Sequence, residues 1–139
     1  MNLYEQFETN SQCETDGIFI DYGPNSKGKN IRFKLARAGG KNIQFAKAME
    51  KYSKPHRRMI ELGLLAPSVA EGIMRTVFIE SVLKGWENVE DRAGAELPYS
   101  PEAADALFTE LPDLFTNLNE LARDASNFRE ELLKADVKN

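Results

Sequence analysis

One thiol and one imidazole, Cys13 and His56, are the only such groups in these 139 residues. A nucleophile–base pair built from them would be a thiolate raised by an imidazole. Cys13, however, falls in a polar, acidic N-terminal stretch with little periodicity, so no catalytic pair is expected and the chain reads as a non-enzyme. A zinc site would need carboxylates beside one His and one Cys, an uncommon ligand set. A single cysteine also allows no intrachain disulfide, which fits a reducing compartment. Glu87, Glu90, Asp91 and Glu96 are acids of the kind that surround a hard cation, but their spacing matches no EF-hand loop. They read as a solvated acidic loop. Gly39-Gly40-Lys41 lacks the earlier glycine and the Ser or Thr after lysine that a phosphate loop requires. No cofactor and no metal are expected.

What remains is recognition by surface. The net charge of -4 conceals a division. Residues 1–26 carry five acids and no Lys or Arg; residues 27–58 carry eleven Lys or Arg against the single acid Glu50; residues 59–139 carry sixteen acids against seven Lys or Arg. The three blocks stand at -5, +10 and -9. Such asymmetry bears on partners rather than on fold. The basic block, with Lys54, Arg57 and Arg58 as its tightest cluster, is a solvated face, a phosphate-neutralising face or a face for the acidic half of another copy or an acidic partner. The chain is acidic overall, with a pI near 5.1, and shows no helix-turn-helix or zinc pattern, so nucleic acid is not the expected partner. Arg57 and Arg58 are candidate contacts for a protein. No apolar run is long enough to span a bilayer, and the N-terminus lacks the basic and apolar regions of a signal peptide. No membrane partner is expected, and a cytoplasmic location is.

The elements that must present these residues can be placed in order. Residues 1–16 read as a mobile acidic arm, residues 17–133 as one helical domain and residues 134–139 as a polar tail. Ile18, Ile20 and Tyr22 alternate with Phe19 and Asp21; Ile31, Phe33 and Leu35 alternate with Arg32 and Lys34. With turn chemistry at residues 23–28 between them, these form a β-hairpin whose apolar face must lie on helices or on another chain. A helix over 42–52 follows, then a short one through Arg58, Met59, Ile60 and Leu62 that ends near Gly63. The next runs from Pro67 to Lys84, stopped by Lys84 and Gly85. Ser100-Pro101 opens another helix with an N-cap and a proline at its first position, and Pro112 stops it. From Asp113 the last helix shows Leu114, Leu118, Leu121, Ala125, Phe128 and Leu132 at spacings of 4, 3, 4, 3 and 4, the seam of a heptad pattern. The fold class is mainly α (α+β): about five helices behind an N-terminal hairpin.

Trp86, the only tryptophan, reads as a core anchor with Leu97 and Tyr99 as neighbours across the loop. As a tryptophan it is also a candidate partner contact. The Leu114–Leu132 seam divides likewise, packing on its own domain or on a partner helix, and Leu114, Phe115, Leu118, Leu121 and Phe128 stand as candidate contacts.

The strings LKGWENVED, ELPYSPEAADALF and ELPDLF, together with RAGGKNIQFAKAMEKYSKPHRRMIELG upstream, resemble in order and spacing a family of tail assembly chaperones of long-tailed bacteriophages, over roughly residues 31–129. The resemblance implies a protein that binds the tape measure protein, keeps it soluble and promotes assembly of the tail tube protein around it. It implies absence from the finished virion, frequent self-association and a place in the cytoplasm of the infected bacterial host. No catalytic residues come with it. Its most characteristic positions, Gly85, Trp86, Glu87, Leu97, Pro98, Leu111, Pro112, Leu114 and Phe115, are expected to be mostly structural. Two other readings stand beside it: a small nucleic-acid-binding regulator using residues 27–58, and a structural tail protein retained in the virion.

Overall fold

Alternating apolar residues produce the sheet, and a side-chain cap or a leading proline opens most of the helices around it. A computed structural model describes residues 2–129 of the chain. Strands β1 (Ile18–Pro24) and β2 (Asn30–Leu35) form the hairpin, pairing Ile18 with Leu35 and Ile20 with Phe33. A third antiparallel strand, β3 (Leu83–Glu87), adds to the far side of β2, giving the order β1-β2-β3. Phe33 then stands opposite Trp86, and Leu35 opposite Leu83.

The helices, numbered in chain order, are α1 (Leu3–Phe7), α2 (Ser11–Asp16), α3 (Ile43–Ser53), α4 (Arg57–Glu61), α5 (Pro67–Ser81), α6 (Pro101–Glu110) and α7 (Pro112–Arg123). Short 3-10 turns follow α3, at Lys54–His56, and α7, at Ala125–Phe128. Helices α3 to α7 are the five expected from the sequence, and the class is α+β. The Ser100 hydroxyl accepts from the Ala103 amide at 3.0 Å, with Pro101 at the first helical position.

One face of the sheet carries the core. Phe33 and Leu35 of β2, Leu83 and Trp86 of β3, Phe78 and Val82 from α5, Ala104 and Phe108 of α6, and Leu118 and Ala122 of α7 are buried together. The rings meet edge to face: Phe33 with Trp86, Trp86 with Tyr99, and Phe78 with both Phe108 and Phe115, at centroid separations of 5.0–5.8 Å. Such pairs add about 0.5–1.5 kcal/mol each beyond their area burial. On the opposite face Arg32 lies over the Phe19 ring, 3.9 Å from its centroid, and pairs with Glu87 at 3.6 Å.

Three elements depart from the sequence reading. Helix α5 ends at Ser81 rather than Lys84, because its last carbonyls are taken elsewhere. The buried Asn42 amide donates to Ser81 O at 2.9 Å and to Arg37 O at 2.8 Å, and Ala36 N donates to Val82 O at 2.8 Å. Gly85, expected as a helix stop, is a strand residue with φ 154, next to an irregularity at Lys84 where the pairing with β2 skips one residue.

The N-terminal stretch, read as a mobile arm, carries two short helices instead. Asn10 caps α2 by accepting from Gln12 and Cys13 amides. Cys13 is buried against Ile18 and Phe128, and the buried Glu14 pairs with the Arg37 guanidinium. Gly40, at φ 53, lies against that pair: a Cβ there would come within 2.5 Å of both Glu14 Oε1 and Arg37 Nη1. The pairing needs glycine at this turn.

The expected last helix is interrupted. Asp124 leaves helical geometry (φ -76, ψ 110), and its carboxylate caps the following 3-10 turn through Ser126. That break turns Phe128 away from the seam and into the cluster with Cys13. Leu132 and the tail at 134–139 lie outside the described residues.

Candidate protein-interaction surface

Helix α4 is one place where the fold leaves apolar side chains uncovered. Helix α3 packs along α5, but its basic C-terminal end runs through Pro55 into α4, whose principal contacts are with the 3-10 turn before it. Gly63 (φ 69) closes the turn, with Leu62 N donating to Arg58 O and Leu64 N to Met59 O. Met59, Ile60, Leu62 and Leu64 are therefore left between 43% and 64% exposed, with Val69 at the start of α5 beside them. Clustered exposed apolar residues of this kind mark interaction sites more often than scattered ones do.

Cations precede the apolar residues along the chain, with the exposed Glu61 among them. Arg57 pairs with Glu50 at 2.6 Å, and Lys51 with Glu80 at 3.2 Å. Glu80 also accepts from the Tyr52 hydroxyl at 2.7 Å; that bond, with Lys51, lowers the Glu80 carboxyl, and the hydrogen bond to Glu80 in turn raises Lys51. Lys41, Lys47, Lys54 and Arg58 are exposed and have no ion-pair partner among the described residues. Beside α4 a cleft of about 490 Å³ runs between α3 and α5, lined by Tyr52, Pro55, His56, Val69, Ile73 and Asp105 among others. It is bounded by the Arg75–Asp105 pair at 3.3 Å. The surface offers apolar contact with a cationic rim, which suits an acidic amphipathic helix.

The other sequence candidates fall differently. Arg57 and Arg58 are on this surface. Trp86 is in the core, its indole N–H donating to Leu97 O at 2.8 Å and its ring against Tyr99. Leu118 and Phe128 are fully buried, Leu114 and Phe115 pack against the main core, and Leu121 is half-buried. The seam thus packs on its own domain over the described residues. The face that the structure adds, Met59 to Leu64, was legible as an apolar run, but nothing in its spacing distinguishes an outward run from an inward one.

The remaining sequence signals are dispersed. Cys13 lies in the cluster with Ile18 and Phe128 while His56 lines the α3–α5 cleft, so the fold does not bring them together. No group of three His, Cys, Asp or Glu suited to a metal occurs among the described residues. The acidic loop is solvated at Glu87, Asp91 and Glu96, which are exposed, and is also tied down at Glu90 and Asp91. The Glu90 carboxylate accepts from the Ser26 amide at 2.8 Å and hydroxyl at 2.6 Å, which lowers its pKa, with Lys27 at 3.7 Å. Asp91 accepts from the Ala93 and Ala95 amides. No helix among the described residues is long and apolar enough to cross a membrane.

Compared with known proteins, the chain matches a family model described as YdaY prophage protein over residues 38–139. That match runs from the end of β2 through every element of the α4 surface and the helical core. No curated protein and no solved structure matches.

Proposed function

The chain belongs to the YdaY prophage protein family and is therefore phage-derived, and from that premise we propose that it is a tail assembly chaperone. In this reading it acts in the cytoplasm of the infected host, holds the tape measure protein in soluble form and yields it to the tail tube protein. The finished virion does not retain it. The mechanism is covering rather than chemistry. Met59, Ile60, Leu62 and Leu64 take the apolar stripe of a client helix, and Lys54, Arg57 and Arg58 meet acids at its margin.

The observation that carries this reading is the uncovered apolar face of α4, together with the resemblance of the flanking strings to such chaperones. A cover must also be removable, and a small patch with a charged rim suits moderate affinity and fast release. Co-expression with a tape measure protein, followed by pull-down, tests it. The expected result is a soluble complex that Ile60→Asp with Leu62→Asp abolishes. Failure of the wild-type chain to hold the tape measure protein in solution would sink the reading.

The unpaired Lys41, Lys47, Lys54 and Arg58 are the observation that favours a second reading, a nucleic-acid-binding regulator. Phosphate contacts need cations but not the four exposed apolar residues among them. A gel-shift at moderate salt separates the two: a stable DNA or RNA complex would favour the regulator. Mass spectrometry of purified particles would reveal a retained tail component.

A further inference from the structure

A second uncovered apolar face, of opposite charge, lies on α1. Leu3, Tyr4 and Phe7 of α1 are each at least 70% exposed. Their spacing of three and four places them on one side of the helix. Glu5 and Glu8 accompany them, within a block that holds five acids and no Lys or Arg. The helix is nonetheless fixed in place. Asn2 caps it by accepting from the Glu5 amide at 3.0 Å, Arg129 donates to Gln6 O, and Asn10 N donates to Phe128 O at 2.8 Å. It is presented rather than packed.

We propose that copies of this chain associate head to tail, the acidic face of α1 in one copy seated on the basic apolar face of α4 in the next. The two faces are opposite in charge: three exposed apolar residues with two acids on α1, against four exposed apolar residues with the unpaired Lys54 and Arg58, which outnumber Glu61, the one acid on α4. Within one copy the two faces stand apart. Helix α3 follows Asn42, which bonds to Arg37, the partner of Glu14 on α2. Its eleven residues then carry the chain about 16 Å away before α4 starts. The N-terminal helices are anchored at the near end, so the contact joins different copies. It is heterologous, and closes into a ring or grows as a chain according to the rotation it imposes. Where the α4 face also holds a client, as the proposed function has it, a neighbour's α1 guards that face until the client displaces it. The association itself does not depend on that reading, and its test contains no client.

Sedimentation of the full-length chain provides that test. The wild type is expected to form oligomers. Leu3→Asp with Phe7→Asp is expected to be monomeric, and so is Ile60→Asp with Leu62→Asp. Each pair alters exposed side chains, and an unchanged circular-dichroism melt certifies the fold. Mixed in equal amounts, the two variants retain one intact α4 and one intact α1 between them, and are expected to recover a one-to-one heterodimer. A monomeric wild type, an oligomer that survives either double substitution, or a mixture that stays monomeric would each overturn the proposal.

Discussion

The sheet core and the α4 turn are built from the same kinds of residue and meet opposite fates. Around Trp86, buried apolar side chains from five elements converge, and the indole N–H that is drawn in finds a partner at Leu97 O. At α4, Met59, Ile60, Leu62 and Leu64 stay 43–64% exposed, and the helix's principal contacts are with the turn before it. The difference lies in what stands opposite. β2 supplies a pleated apolar face that three helices cover, whereas α4 projects past the end of the α3–α5 pair. Stability therefore resides around Trp86, and the exposed apolar side chains on which the proposed function rests lie around Ile60.

The strongest way to break this comparison is Trp86→Ala. Removing a buried ring that contacts Phe33 and Tyr99 and strands the Leu97 carbonyl should cost about 3–5 kcal/mol, a large share of what a domain of this size has. Thermal or urea unfolding measures it. A variant that melts with the parent but loses a partner would move Trp86 to the recognition side.

Asn42→Ala sharpens the comparison at the joint between the two regions. Its amide serves Arg37 O and Ser81 O, fixing the start of α3 to the end of α5. Leaving these acceptors unpaired in a buried place should cost about 1–3 kcal/mol. Hydrogen exchange should show faster opening across α3 than across β2. Equal loosening of both would mean that α3 and the sheet open as one unit.

How much of this was legible in the sequence follows the same division. The hairpin was readable because Ile18, Ile20, Phe33 and Leu35 alternate, and α6 because Ser100-Pro101 is unambiguous capping chemistry. Strand β3 was not: the irregularity at Lys84 destroys its alternation, leaving Leu83 and Trp86 inward at a spacing of three, and Lys84-Gly85 imitates a helix end. What makes it a strand is β2, some fifty residues earlier. Glu14 is invisible for the same reason. An acid in a polar stretch reads as exposed until Arg37 and the turn at Gly40 are seen around it. On the recognition side Arg57 and Arg58 were legible from charge alone. Met59, Ile60 and Leu62 read as part of a short helix ending near Gly63, without any sign of how exposed they are.

A smaller effect is expected at the tip of the sheet, where Glu90 ties the acidic loop to the hairpin turn. The Ser26 hydroxyl and amide bind its ionised form and hold its pKa below the usual glutamate value. A depressed folded pKa contributes stability that is present above the unfolded value, about 4.3. That contribution is lost as pH falls through the folded value. Glu90→Gln should therefore flatten part of the acid limb of the stability–pH curve while changing little at neutral pH. An acid limb identical to that of the parent would show that the loop is held by Asn25 and Asn88 instead.

The smallest change in stability, and the clearest separation of the two regions, is expected from Leu62→Ser with Leu64→Ser. Both side chains are more than half exposed, so the folded state loses little that the unfolded state lacks, and unfolding should shift by no more than about 0.5 kcal/mol. Association should respond differently. An apolar centre inside a rim of unpaired lysine and arginine depends on both, so the double substitution should weaken binding even where salt has already screened the rim. Raising salt from 0.15 M to 1 M shortens screening from about 8 Å to about 3 Å. In the parent chain that change should weaken the association without abolishing it, because apolar contact persists. Sedimentation of parent and variant at the two salt concentrations reads both contributions. If the variant associates as well as the parent at either concentration, the α4 face is only exposed surface, and the recognition side of the comparison must be sought among the charges alone.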